Sequence, residues 1–235
     1  MNRARIGLLV PSSNTTVESE FRRLLPDSIS LHCARLFIDK VDLATIGKMT
    51  DTMDHEARML ASADVDVVVL GATAPSFLLG LGHDKAVAAQ LEAITGKPAT
   101  TTSSALLAGL AKFGVTRAVL GSPWTDAVSG ACAQFLEANG VEILSNIGLD
   151  VVDNLEIGRL PVRSAFDVAV AADHPDAQAI VLACTNWPTL EVIDEIEQKL
   201  GKPVISTGPV SAWQALRMVG HDEPLPGFGA LMTRF

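Results

Sequence analysis

Cys184 closes an apolar run, Ala179-Ile180-Val181-Leu182-Ala183-Cys184-Thr185, and an earlier run, Val67-Val68-Val69-Leu70-Gly71-Ala72-Thr73, repeats it with one chemical difference. The thiol of the second copy is a methyl group in the first. Downstream of each run stands a Gly-Lys-Pro, Gly96-Lys97-Pro98 and then Gly201-Lys202-Pro203, at slightly different offsets, as expected of diverged copies of one unit. A thiol at a strand end beside a helix N-terminus has a shifted acidity and can give or take a proton at carbon. Taken alone, a cysteine after Ile-Val-Leu-Ala is more often a buried, inert packing residue. The repeat changes that balance, because two facing copies put Ala72-Thr73 and Cys184-Thr185 on opposite walls of one cleft.

Three further loops carry polar groups at strand ends. Pro11-Ser12-Ser13-Asn14-Thr15-Thr16 offers hydroxyls, an amide and free N–H groups that suit a carboxylate, or simply cap the following helix. Its counterpart in the second half is Gly121-Ser122-Pro123-Trp124-Thr125-Asp126, where Trp124 is either a rim anchor or core. Asp153-Asn154-Leu155-Glu156-Ile157-Gly158 places an amide between acids and reads as a turn and helix cap. The glycine spacing of a phosphate-binding loop or dinucleotide fingerprint is missing, the histidines have no HxxxH or HExxH spacing, and no nucleophile elbow accompanies a Ser-His-Asp set. Metal catalysis is therefore not expected. Cys33 and Cys132, one in a strand pattern and one in a helix pattern, are assigned to packing.

The elements that position these loops alternate. Strands are expected at 6–10, 30–37, 65–70, 99–102, 117–121, 142–147, 179–183 and 204–207. Helices are expected at 16–25, 49–63, 84–93, 104–113, 125–139, 164–172, 190–200 and 210–219. Continuous Val/Ile/Leu runs mark strands covered on both faces, and strand alternating with helix gives parallel sheets with right-handed crossovers. In such sheets ligands bind beyond the carboxyl ends of the strands, which selects the loops above.

In 235 residues, 48% hydrophobic and 19% charged, there is enough apolar surface for two packed lobes and no sign of disorder. A net charge of −9 with no basic cluster argues against nucleic acid as a partner. No apolar stretch approaches a membrane span and no signal core is evident, so a cytoplasmic location is expected. Three scattered cysteines without CxxC spacing suggest free thiols.

Together and in order, Val10-Pro11-Ser12-Ser13-Asn14-Thr15-Thr16, Asp153 to Gly158, and Ala183-Cys184-Thr185-Asn186 with Gly201-Lys202-Pro203-Val204 resemble the aspartate/glutamate racemase superfamily. The likeness is to the branch of maleate cis-trans isomerases, arylmalonate decarboxylases and ectoine-utilisation relatives, and it runs from Ile6 to about Gly220. It implies an α/β fold of two similar Rossmann-like lobes, related by a pseudo-twofold axis, with the active site in the cleft between them. The division expected is 1–108 with 208–235, and 109–207. The resemblance further implies a small dicarboxylate substrate, no metal or organic cofactor, and a possible homo-oligomer.

Racemases and isomerases of that group place a cysteine on each wall, whereas Ala72 here leaves only Cys184, the pattern of the decarboxylases. By resemblance Cys184 is the catalytic proton donor, and Ser12, Asn14, Ala72, Thr73, Ala74, Trp124, Asn154 and Thr185 form the substrate site. Ala74 stands where the decarboxylases have serine and Trp124 where both relatives have tyrosine. The activity implied is decarboxylation through an enediolate. Alternatives are maleate-type isomerisation or racemisation, or a dicarboxylate-binding protein without turnover, and a depressed Cys184 pKa would favour catalysis over binding.

Overall fold

The computed structural model describes residues 3–38 and 52–235. The first half comprises β1 (Ala4–Pro11), α1 (Val17–Leu24), β2 (Ile29–Leu36), α2 (Met53–Ser62), β3 (Val67–Leu70), α3 (Thr73–Phe77), α4 (His83–Thr95), β4 (Ala99–Thr101) and α5 (Thr102–Lys112). The second half begins with β5 (Arg117–Ser122), α6 (Asp126–Ala138), β6 (Glu142–Gly148), α7 (Asn154–Arg159) and α8 (Arg163–Ala172). It continues through β7 (Ala179–Leu182), a 3-10 turn at Leu190–Val192, α9 (Ile193–Leu200), β8 (Val204–Ser206), α10 (Thr207–Met218) and α11 (Ala230–Arg234).

Each half forms a four-stranded parallel sheet, ordered β2-β1-β3-β4 in one and β6-β5-β7-β8 in the other, so the sequence repeat is also a repeat of topology. Registers match across the two: Leu9 pairs with Leu70 and Gly121 with Leu182 at the carboxyl ends of the central strands. Every residue of β3 and β7 is buried, which explains why their apolar runs lack alternation.

The helices after the last strand of each sheet hold the halves together. Helices α5 and α10 pack on each other, and each also touches the opposite sheet, α5 on β8 and α10 on β3 and β4. A buried hydrogen bond from Ser211 Oγ to Thr102 Oγ1 (3.1 Å) joins their first turns. The strand order reverses between β1 and β3, and again between β5 and β7. These switch points open a crevice at the strand ends in each lobe, and the packing of α5 against α10 turns the two crevices toward each other.

The helix cap read at Asp153 is found: its Oδ1 accepts from Glu156 N at 3.0 Å at the start of a short helix, α7. Other expectations need correction. Helices α3 and α11 were not expected. Cys33 is exposed on the edge strand β2 and not packed inside, while Cys132 is buried. Of the helix expected at 49–63, residues 49–51 lie outside the described residues. No described helix is long and apolar enough to cross a membrane.

Candidate active site

Where the two crevices meet, the carboxyl ends of β1, β3, β5 and β7 enclose a cavity of about 350 Å³ including its mouth. From the first lobe it is lined by Pro11, Asn14, Ile38 and the Ala72-Thr73-Ala74-Pro75 turn; the second contributes Trp124, Asn154 and Cys184-Thr185-Asn186. Ala72 and Cys184 thus border one space. Among the described residues no ionisable side chain other than the thiol lines it, and no cluster of His, Cys, Asp and Glu could hold a metal ion.

Ser12 is the one expected site residue that the cavity excludes. Its hydroxyl is taken up by the backbone of Ile38, donating to O (3.2 Å) and accepting from N (3.0 Å), so it fastens the end of β2. Ser13 does similar work: its hydroxyl donates to Ile38 O at 2.6 Å and accepts from Asn154 Nδ2 at 2.8 Å. Asn14 is both cap and wall. Its Oδ1 accepts from the backbone N–H groups of Thr16 (2.9 Å) and Val17 (3.0 Å), which starts α1, while Nδ2 donates to Thr185 Oγ1 across the lobes at 3.1 Å. Thr185 passes the bond on, its hydroxyl donating to Gly71 O at 3.1 Å. The Thr185 hydroxyl, which lines the cavity, is thus engaged on both sides.

Asn186 is a structural keystone that the sequence reading did not single out. Its Oδ1 accepts from Thr15 N (2.8 Å), its Nδ2 donates to Asn154 O (2.5 Å), and its carbonyl accepts from Thr16 Oγ1 (2.8 Å). One amide therefore ties the β1 loop, α7 and the Cys184 turn into a single rim. Gly158 makes that junction possible: a Cβ there would lie 2.4 Å from Thr15 Oγ1 and 3.1 Å from Asn186 Oδ1. The available signal was an amide two residues after the cysteine, but its partners lie far away in sequence.

Cys184 itself sits in a strained backbone, with φ of 140° at a non-glycine residue, held by a hydrogen bond from its N–H to Thr207 Oγ1 at 2.9 Å. The side chain is buried, and burial pushes the thiol up to about 12. Backbone N–H groups of Asn186 and Trp187 pull the other way, as does the Trp124 indole, while the charge of Glu20 adds to the rise. The depressed pKa that would have favoured catalysis over binding is not found, because desolvation outweighs the donors around the sulfur. Trp124 Nε1 is directed at the sulfur without a regular hydrogen bond and has no other partner among the described residues.

Among the described residues, Thr73 Oγ1 is the other buried polar atom of the cavity without a protein partner. An unpaired buried donor costs about 1–3 kcal/mol, so Thr73 and Trp124 are two groups that a polar ligand would satisfy. Phe77 backs Trp124 with ring centroids 6.0 Å apart and touches Phe135 at 6.1 Å, making a firm apolar floor. Trp187 belongs to the core instead, its indole donating to Ser164 Oγ at 2.9 Å.

Comparison with known proteins places this geometry among named relatives. The family model of arylmalonate decarboxylase matches residues 6–232. The chain is 31% identical over 229 residues to arylmalonate decarboxylase of Bordetella bronchiseptica, covering 96% of this chain and 95% of that one. To maleate isomerase of Geobacillus stearothermophilus it is 27% identical over 243 residues, covering 97% of each. Among solved structures, maleate isomerase from Pseudomonas putida S16, in a cysteine-to-alanine form with maleate, superimposes with a TM-score of 0.94 at 26% identity, covering 98% of this chain and 97% of that one. These relatives are enzymes, and a small dicarboxylate, maleate, is bound in the last of them.

Proposed function

The chain belongs to the arylmalonate decarboxylase family, and we propose that it is a cofactor-independent enzyme that decarboxylates a small malonate-type dicarboxylic acid, with Cys184 as proton donor. The observation that carries this reading is the asymmetry of the cavity: a thiol held in its protonated form on one side and the Ala72 methyl on the other.

In this reaction the bond between the α-carbon and one carboxylate breaks, CO₂ departs, and the bonding pair passes into the remaining carboxylate as an enediolate. The S–H of Cys184 gives its proton to the α-carbon, and the thiolate left behind regains a proton from solvent. Burial keeps the proton on the thiol at the start of the cycle, and the backbone N–H groups of Asn186 and Trp187 with the Trp124 indole are the groups that favour its release. The Thr73 hydroxyl and the Thr185 backbone N–H are the donors offered to the enediolate oxygens. Trp124 can only donate, so its indole N–H supports the transient thiolate and takes no part in moving the proton.

Cys184→Ala is expected to abolish turnover of phenylmalonate and alkylmalonates, and wild-type turnover in D₂O is expected to label one face of the product. Retained turnover in the variant, or label on both faces, would overturn the proposal. The alternative, maleate cis-trans isomerisation, is favoured by the likeness to the maleate-bound structure and by Asn14 and Asn154 at the cavity wall. It lacks the second thiol at Ala72. Formation of fumarate from maleate by the unmodified protein would decide for it.

A further inference from the structure

Glu20 is a buried carboxylate outside the cavity whose bonds all lead to the turn that carries Cys184. It projects from α1 in the first lobe, yet its Oε1 accepts from the second lobe: Thr189 N at 3.0 Å, Leu190 N at 3.0 Å and Thr189 Oγ1 at 3.5 Å. Thr189 Oγ1 shares a 2.6 Å hydrogen bond with Ser206 Oγ, and the next residue, Thr207, accepts the Cys184 N–H. The carboxylate therefore holds the Leu190 end of the segment from Cys184 to Leu190 directly, and reaches the Cys184 end through Thr189, Ser206 and the adjoining Thr207. Its second oxygen, Oε2, has no partner and is pressed against Gly208, where a Cβ would come within 2.4 Å.

We propose that Glu20 is a positioning residue that fastens the Cys184 turn across the lobes and couples the proton affinity of the thiol to its own protonation state. The inference rests on the reading of Cys184 as proton donor. Among the described residues two other charges act on Glu20. Arg23 on α1 and Glu191 on the 3-10 turn act on Glu20 in opposite senses and are ion-paired with each other at the surface. The facing strand β8, Val204–Ser206, and the first turn of α10, Thr207 to Ser211, carry no ionisable side chain. Burial raises Glu20 to about 7, so its charge changes near neutrality, and that charge raises the thiol. When Glu20 is neutral the thiol gives up its proton more readily; when it ionises, less.

The test reads the sulfur directly, without turnover. Iodoacetamide alkylation of Cys184, resolved from Cys33 and Cys132 by peptide mass spectrometry, is followed from pH 6 to 10 in wild type and Glu20→Gln. In wild type the rise of log rate with pH should flatten around neutrality. In Glu20→Gln the slope should be uniform and the rate above pH 8 about threefold or more higher, the effect of half a pKa unit. Superimposable curves would overturn the proposal. Should the variant fail to fold, ¹³C NMR of the wild-type Glu20 carboxyl decides: titration near neutrality supports the coupling, and titration near 4.5 refutes it. Because neither readout needs a substrate, failure of the decarboxylase reading, seen as turnover that survives Cys184→Ala, is a separate result.

Discussion

Replacing Glu20 by Gln should change stability in a way that depends on pH with a definite sign. The folded protein raises this carboxyl from 4.5 to about 7, chiefly by desolvation. Two and a half pKa units correspond to about 3 kcal/mol. Between these two values the folded state holds more protons than the unfolded chain, so wild-type stability falls as pH rises through the window. Below 4.5 both states are protonated and no penalty is present; above 7 it is present in full. Gln keeps an oxygen for the Thr189 and Leu190 N–H groups and cannot ionise. Its new N–H₂ lies against Gly208 without an acceptor, a cost of about 1–3 kcal/mol that does not vary with pH. The measurable quantity is therefore the change in the difference between variant and wild type, which should move by about 3 kcal/mol in favour of the variant from pH 4 to pH 8. For a chain of this size that is roughly 6–12 °C in Tm. Thermal melts followed by circular dichroism at half-unit steps of pH would read it. A difference that stays constant across the window, or grows toward acid, would refute the reasoning.

Other expectations follow from the cavity. At pH 8 Cys184 should alkylate about a thousandfold more slowly than an unburied thiol, as a shift from 9.0 to about 12 requires; a rate like that of a small free thiol would show that burial does not govern it. Thr73→Val, which keeps the shape and removes the unpartnered hydroxyl, should lower kcat on a malonate by about 10²–10³-fold, the usual effect of losing one such donor, and an unchanged kcat would remove Thr73 from the enediolate pocket. Ala72→Cys should supply a second acid–base group, so that α-hydrogen exchange in D₂O labels both faces and the product racemises on chiral chromatography. Continued single-face labelling would mean that residue 72 does not look onto the reacting carbon.

The strands and their pairing could be read from the chain because fully buried strands announce themselves as uninterrupted Val, Ile and Leu, and because a duplicated unit predicts a duplicated sheet. The helices expected at 125–139 and 190–200 stop where Gly140 and Gly201 follow them, both glycines taking the positive φ that ends a helix. What could not be read depends on partners distant in sequence. Helix α3 is five residues long with Pro75 inside it, too short to show a period. Ser12 looked like a ligand-binding hydroxyl until Ile38 was seen to use it on both sides. The triple engagement of Asn186 spans more than half the chain, and so does the bond from Glu20 to Thr189. The direction of the thiol shift could not be read for the same reason: a strand-end loop offers donors that lower it, whereas the depth of burial that raises it is a property of the assembled lobes.

The duplication also explains how one scaffold acquires a one-sided site. Thr73 and Thr185 occupy equivalent places after β3 and β7, yet the first hydroxyl is free in the cavity while the second is locked between Asn14 Nδ2 and Gly71 O. The difference originates in the loops after β1 and β5. The first carries a compact amide that can reach across to Thr185; the register that equates Leu9 with Gly121 puts Trp124 at the place of Ser12 in the other copy. An indole there fills the space against Phe77 and turns its single N–H toward the sulfur. Thus the locked threonine lies beside the thiol, where the backbone must hold a strained φ, and the free one lies beside Ala72, where an oxyanion can be met without crowding by a second reactive group. Chemistry from one direction then needs no symmetry-breaking in the sheets at all, only two loops of different bulk at matched strand ends.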